Sequence, residues 1–452
     1  MSLKRQKEFF LSGKTLDLRW RKRQLRRLLM AIELYEPRLY EAFYQDLQKS
    51  EFEAFITEVG VSKRSIRSAL KNLDGWAKPK RERTPLTLFG SCAYTVYEPY
   101  GCVLIIGPFN YPFLTVIEPL VGAMMAGNTV VIKPSEQTPK VSEVMYEMLS
   151  FVFEPDYIEV VLGEVDVTKR LLEEDFDLIF FTGSSRVGRL IMEKAAKHLT
   201  PVILELGGKS PAIVLEDAQV KLAAKRIVWG RLLNAGQTCI APDYCLVYEP
   251  LKQRLIKEMI REIKVLYGDD AQLSPDYPRI VNTHHVKRLE KMIEAHREDI
   301  VYGGRIEGRY VEPTLLDLNS AEGVAMEEEI FGPVLPLIGF KSLEEVYNIV
   351  QSYPKPLALY VFGRDNTEIQ SILARISSGG AMINDVILHV ANEHLPFGGV
   401  SHSGMGSYHG KYSMEAFSHK KAVVKTVLHT SELVLKPPYS KTKLSLLKKF
   451  LH

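Results

Sequence analysis

The sequence predicts an α/β protein of two doubly wound units with a small β extension, and three observations carry that prediction. Short apolar runs such as "CVLIIG", "TVVIKP", "DLIFF" and "PAIVL" are continuous rather than alternating. That is the pattern of parallel strands covered on both faces. Between them lie amphipathic segments such as "TPKVSEVMYEML", "RVGRLIMEKAAKHL" and "RLIKEMIREIKVLYG", which would form the covering helices. A separate stretch, "LTLFGSCAYTVYEPYG", alternates and ends in a turn signal, which predicts a strand pair projecting from the body.

Taken in order, the first 80 residues read as helices, with apolar positions three and four apart among dense Lys, Arg and Glu,. The basic run "RWRKRQLRR" at 19–27 is read as a solvated helix face, with Leu16, Trp20, Leu28 and Ile32 beneath it,. The proline-flanked "KPKRERTP" predicts a boundary,. Thr138 followed by Pro139 reads as an N-cap and first-turn pair, since proline lacks the N–H left unpaired there,. After "PAIVL" the second unit alternates helices with the strands "CLVYEP", "LALYVFG" and "GAMINDV". The final "KPPYSKTKLSLLKKFLH" breaks at its prolines and then becomes amphipathic.

The 452 residues carry 58 Lys and Arg against 55 Asp and Glu, a balance that gives no reason to expect a nucleic-acid partner. Four cysteines without C-x-x-C spacing or a Cys/His cluster argue against both a disulfide framework and a metal site,. "MSLKRQKEFF" lacks the apolar core of a secretion signal, and no apolar run is long enough to span a bilayer,. The expected location is therefore a reducing compartment, the cytoplasm.

Five stretches carry chemistry. In "NAGQTCIAPDY" Cys239 sits among polar residues, unlike an inert buried cysteine,. As a thiolate it would attack a carbonyl carbon. "ILELGGKSP" places Glu205 before two glycines, where it would be a general base if burial raises its pKa and one more exposed Glu otherwise,. "IIGPFNYPF" sets Asn110 in a proline-bounded turn, where its amide could stabilise an oxyanion; a plain turn-forming Asn is the commoner case,. In "TGSSRVG", Gly183, Ser184 and Gly188 open a helix after a strand, an anion-binding arrangement that an ordinary strand-to-helix turn equals in frequency,. "VVIKPSEQTP" ends a strand with Lys133 and Glu136, which could contact ribose hydroxyls or simply pair with each other,.

With "EEIFGPVLP" and "LPFGGV" added, the ordered series "PFNYP", "KPSE", "FTGS", "ELGGKSP" and "GQTC" resembles the aldehyde dehydrogenase superfamily along nearly the whole chain. The ending "GMGSYHGKYSMEAFSHKKAV" looks most like its class 3 branch. The resemblance implies two Rossmann-like domains, one for the cofactor (1–81 and 98–207) and one catalytic (208–410). It also implies oligomerisation strands at 82–97 and 411–435 and an amphipathic tail at 436–452. It gives Cys239 the role of nucleophile, Asn110 and the Cys239 N–H the oxyanion, and Glu205 the activation of water. Glu329, Phe331, Lys133 and Glu136 become cofactor contacts, with NAD favoured and NADP open. A homodimer follows from the same likeness, and the tail could meet an anionic membrane or the dimer partner. His389, His394 and His409 are expected to serve structure or the substrate cleft. The readings set against this one are a cysteine-dependent esterase or hydrolase and a CoA-acylating aldehyde dehydrogenase.

Overall fold

Asp17 starts the helix Leu18–Leu47 by accepting the backbone N–H groups of Arg19 and Trp20,. The computed structural model to which this helix belongs describes residues 3–85, 88, 90–426 and 437–450. Trp20, Leu28 and Ile32 are buried on one stripe of the helix while Arg19, Arg23, Arg26 and Arg27 face water. Leu16 departs from the expectation, because it lies in the 3-10 turn Lys14–Leu16 ahead of the helix and is exposed.

Two parallel sheets follow. The first has the spatial order Gly404–Met405, Val202–Glu205, Leu178–Thr182, Cys102–Ile106, Thr129–Lys133, Ile158–Val160, parallel except for its short first strand. The chain winds outward from Cys102–Ile106 in one direction and then in the other. That strand and Leu178–Thr182 therefore flank a topological switch point, where ligands of open parallel sheets bind. The second sheet runs Ile300–Tyr302, Thr314–Leu318, Val334–Phe340, Tyr244–Tyr248, Pro211–Val214, Ala358–Phe362, Gly380–Ile383, antiparallel only at Ile300–Tyr302. Strand interiors such as Val103, Leu104, Ile105, Leu246 and Val361 are buried, as continuous apolar runs require.

The third sheet corrects the expected hairpin. "LTLFGSCAYTVYEPYG" supplies one long strand, Ser91–Pro99, lying between Lys80–Glu82 and Ser418–Thr426. The supposed boundary segment thus contains a strand, Lys80–Glu82, which pairs with Ser91–Pro99 just after it, while the other partner, Ser418–Thr426, comes from far along the chain. Val427 to Lys436, the rest of the expected oligomerisation strand, lie outside the described residues.

A second correction concerns Thr138. It precedes the helix Pro139–Val152, yet its side chain caps nothing and its hydroxyl has no partner. The free N–H groups of Lys140 and Val141 go instead to the carboxylate of Asp46, at 3.3 and 2.9 Å. A distant carboxylate therefore does the work expected of the local threonine.

The tail forms the helix Lys441–Phe450 with Leu444 and Leu446 exposed and Leu447 half-buried. Leu451 and the side chain of Phe450 lie outside the described residues. Among the described residues no helix is long and apolar enough to cross a membrane.

Candidate active site

Strand register gathers the predicted residues of the first sheet on one edge. Ile106 is paired with both Lys133 and Phe181, and Thr182 with Glu205. The carboxyl ends carrying Asn110, Lys133, Gly183 and Glu205 therefore finish level with one another. From Glu205 the chain runs through Gly207 and Gly208 directly to Pro211, where the second sheet begins. Cys239 precedes Tyr244–Tyr248, and Glu329 precedes Val334–Phe340, so both lie ahead of strands of the second sheet. The site forms where the carboxyl edge of one sheet meets the amino edge of the other.

Cys239 is presented by a strained turn. After the helix Val220–Leu232, Asn234, Ala235 and Gly236 all take left-handed backbone angles, with φ of 53°, 51° and 77°. Two of these are not glycine, and such a conformation persists only when neighbours enforce it. Asn234 N–H donates to Glu53 at 2.9 Å, and its side-chain amide to the carbonyls of Asn110 at 2.8 Å and Gln237 at 3.1 Å. Gly236 is obligatory, since a Cβ there would lie 2.2 Å from the Gly332 carbonyl oxygen.

Cys239 itself is half-buried. Burial pushes its thiol up to about 12, and the carboxylates of Glu329 and Glu205 add to the rise. Its own N–H and that of Ile240 act in the opposite direction. The side chain of Glu205 is buried, and neither of its oxygens has a hydrogen-bond partner among the described residues. Burial alone holds this carboxyl well above the usual carboxylate range, which makes its carboxylate a stronger base than that of an exposed glutamate.

Glu329 rests against Gly207: a Cβ at that glycine would fall 1.9 Å from its Oε2. Burial, then Asp243, raises it to about 8, against the opposing pull of the Gly208 N–H, Lys209 and Arg231. Its loop is fixed by a buried network that the sequence reading missed. Asp243 accepts from the Ile330 N–H (3.0 Å), Lys209 Nζ (2.7 Å) and Arg231 (3.2 Å), while Lys209 also donates to the carbonyls of Ala325 and Glu328, both at 2.9 Å. Lys209 and Asp243 stand inside two quoted motifs, "ELGGKSP" and "NAGQTCIAPDY", but spacing gives no sign that they meet. Phe331 takes a φ of 45° and sets its ring edge-on to Phe109, 5.7 Å away.

Lys133 is buried and donates to Glu136 at 3.0 Å and to the Pro134 carbonyl at 2.7 Å. Ser184 caps the helix Ser185–Ala196 through the Val187 N–H. The two glycines of that turn have packing reasons: a Cβ on Gly183 would meet the Phe181 ring at 2.4 Å, and one on Gly188 the Leu206 side chain at 2.8 Å. The set fits a dinucleotide, with a helix N-terminus at the switch point, a Lys–Glu pair at the end of the neighbouring strand Thr129–Lys133 and a carboxylate seated on the Gly207–Gly208 backbone,.

The histidines separate. His409 stacks on Phe397 at 5.1 Å with a φ of 86°, and burial takes it down to about 4. His389 falls likewise to about 4 through burial and has neither ring nitrogen bonded. His394 is exposed.

Residues 4–423 match the model of the aldehyde dehydrogenase family. The chain is 47% identical over 435 residues to the 4,4'-diaponeurosporen-aldehyde dehydrogenase of Staphylococcus aureus, covering 96% of this chain and 95% of that one. It is 44% identical to aldehyde dehydrogenase family 3 member H1 of Arabidopsis thaliana, covering 97% and 92%. It is 42% identical to the dimeric NADP-preferring aldehyde dehydrogenase of Canis lupus familiaris, covering 98% of each chain. Among solved structures, a substrate-bound Staphylococcus aureus AldH superposes with a TM-score of 0.97 at 46% identity, covering 100% of this chain and 98% of that one. The chain belongs to the aldehyde dehydrogenase family, is class 3-like within it, and oxidises aldehydes with NAD(P).

Proposed function

We propose that Cys239, Glu205 and Asn110 are the catalytic set and that Lys133, Glu136, Gly183, Ser184, Gly188, Glu329 and Phe331 line the cofactor site. The observation that carries this reading is the buried Glu205 carboxyl, unpaired and close enough to Cys239 to raise its thiol. Cys239 loses its thiol proton to solvent, its sulfur bonds to the aldehyde carbon as the C=O π bond opens, and the carbonyl oxygen becomes an oxyanion held by the Asn110 amide and the Cys239 N–H. When bound, the nicotinamide supplies the two-electron acceptor that turns the hemithioacetal into a thioester. Glu205 then takes a proton from water, whose oxygen displaces the sulfur, so aldehyde and water leave as carboxylic acid. Hydrolysis by Glu205 is the reason to set aside acyl transfer to CoA.

Cys239→Ser should lower aldehyde-dependent cofactor reduction by at least about a thousandfold, while Glu205→Gln should release about one equivalent of reduced cofactor per site and then stall. Steady turnover in Glu205→Gln, with acid formed at the parental rate, would remove the assignment.

The substrate we infer is an apolar aldehyde, medium to long chain or aromatic. Tyr111, Tyr360 and Tyr408 are buried, the Tyr111 hydroxyl meets that of Thr238 at 2.6 Å and Tyr360 donates to the Ile240 carbonyl at 2.5 Å, on either side of Cys239, so the carbonyl would enter among rings. The relative named for 4,4'-diaponeurosporen-aldehyde agrees with that reading. The Lys133–Glu136 pair favours NAD, because a second negative charge beside Glu136 would be repelled; NADP binding would require that carboxylate to turn aside. We further propose the division at 207/208 as the domain boundary, a homodimer built on the Ser91–Pro99 and Ser418–Thr426 strands, a tail that contacts membrane or partner, and a cytoplasmic location.

A further inference from the structure

We infer that the buried Lys49–Glu58 ion pair, together with Glu53, is a positioning unit that sets the Asn110 amide against the Cys239 turn; this rests on the oxyanion role proposed for Asn110. None of these three residues lies in a motif that the chemistry uses.

The chain leaves the helix Leu18–Leu47 through Gln48, which has a left-handed φ of 51°, and this turns Lys49 inward. Lys49 and Glu58 both have fully buried side chains and meet at 2.9 Å. Glu58 lies on the π-helical turn Phe55–Val59, a wide turn of the sort often found at functional sites. Its second oxygen accepts the N–H groups of Phe113 and Leu114, each at 3.0 Å, at the start of the helix Leu114–Ala126. The ammonium of Lys49 also reaches the Asn110 carbonyl at 3.4 Å and lies 4.5 Å from the centre of the Tyr111 ring. One ion pair thus grips residues 110–114 at both ends of the turn that bears Asn110.

The same turn is tied to the cysteine. The Asn110 carbonyl accepts the Asn234 side chain at 2.8 Å, and Glu53 holds the Asn234 N–H at 2.9 Å in its left-handed conformation. The hydroxyls of Tyr111 and Thr238 meet at 2.6 Å, one residue before Cys239. Lys49 and Asn234 both bond the Asn110 carbonyl and Glu58 takes the N–H groups of Phe113 and Leu114, all main-chain groups, and none of the described residues takes up the Asn110 side-chain amide. The backbone is fixed from several sides while the amide stays available.

A purely structural pair would destabilise the protein without selecting a step. A positioning pair would slow oxyanion formation and leave untouched any reaction of Cys239 that forms no oxyanion. The test replaces the pair by a neutral one, Lys49→Met with Glu58→Gln, so that neither member of the pair is left charged without the other. It is made alone and in the Asn110→Ala background. Rapid-mixing measurement of the first turnover should show cofactor reduction slowed about 10- to 100-fold by the pair variant and by about 100-fold or more by Asn110→Ala. In Asn110→Ala the pair variant should cause no further loss, since both act through one amide. Alkylation of Cys239 by iodoacetamide should stay within about twofold throughout. Glu53→Ala, which leaves the ion pair intact, should repeat the pattern should the pair variant fold poorly. Multiplicative losses, or alkylation falling in step with hydride transfer, would overturn the inference. A normal first turnover in Asn110→Ala would instead refute the oxyanion role itself.

Discussion

Glu205 ends a strand whose other residues are apolar, and this placement governs its titration. Its folded pKa lies well above the ordinary carboxylate value through burial, and Glu53 and Glu329 are raised in the same direction to about 7 and about 8. Between the unfolded and folded values the native state binds more protons than the unfolded chain. These groups therefore contribute most below about pH 4.5, and stability falls as pH rises through each folded pKa, by about 1.4 kcal/mol per pH unit for each group in its window. Glu205→Gln removes one such group. Denaturant titrations at several pH values should show the variant gaining on the parent as pH rises from 5 to 8; a constant difference would mean that the carboxyl is not buried in solution. The sequence showed Glu205, Cys239 and Asn110 because each sits in a recognisable motif. It could not show Lys49, Glu53 or Asp243, whose partners are set by the fold.

At the scale of elements, the helix Pro139–Val152 takes its cap from Asp46 across a span of more than 90 residues. Asp46→Ala should cost about 1 kcal/mol, read as a lower denaturant midpoint with an unchanged slope, whereas Thr138→Ala should cost much less. The reverse order would restore the local cap. The parallel strands were legible because their apolar runs are continuous. The Ser91–Pro99 pairing was not, since alternation reports a half-covered strand without naming its neighbour.

For the whole molecule, the three-stranded sheet has Ser418–Thr426 at one border, with Val424 51% exposed. An exposed strand edge is a template for another chain. Val424→Lys should shift the proposed dimer toward monomer in sedimentation velocity, and an unchanged dimer would place the interface elsewhere. The tail helix Lys441–Phe450 exposes Leu444 and Leu446 among lysines, a basic amphipathic pattern suited to an anionic surface. Deleting the residues after Pro438 should reduce binding to anionic lipid vesicles while preserving activity on soluble aldehydes; undiminished binding would assign the tail to the dimer instead.

The amino-acid sequence by itself determined the α/β class, the helical N-terminus, the family and the residues of the proposed catalytic set, because periodicity, glycine-bounded turns and ordered motifs are local properties. Tertiary structure alone decided which carboxylate caps which helix, how three left-handed residues are held ahead of Cys239, and which buried ions brace the loops around it. These depend on groups far apart in the chain that meet only when helices pack and the two sheet edges come together, and in that dry interior a charge must find its partner wherever the fold supplies one.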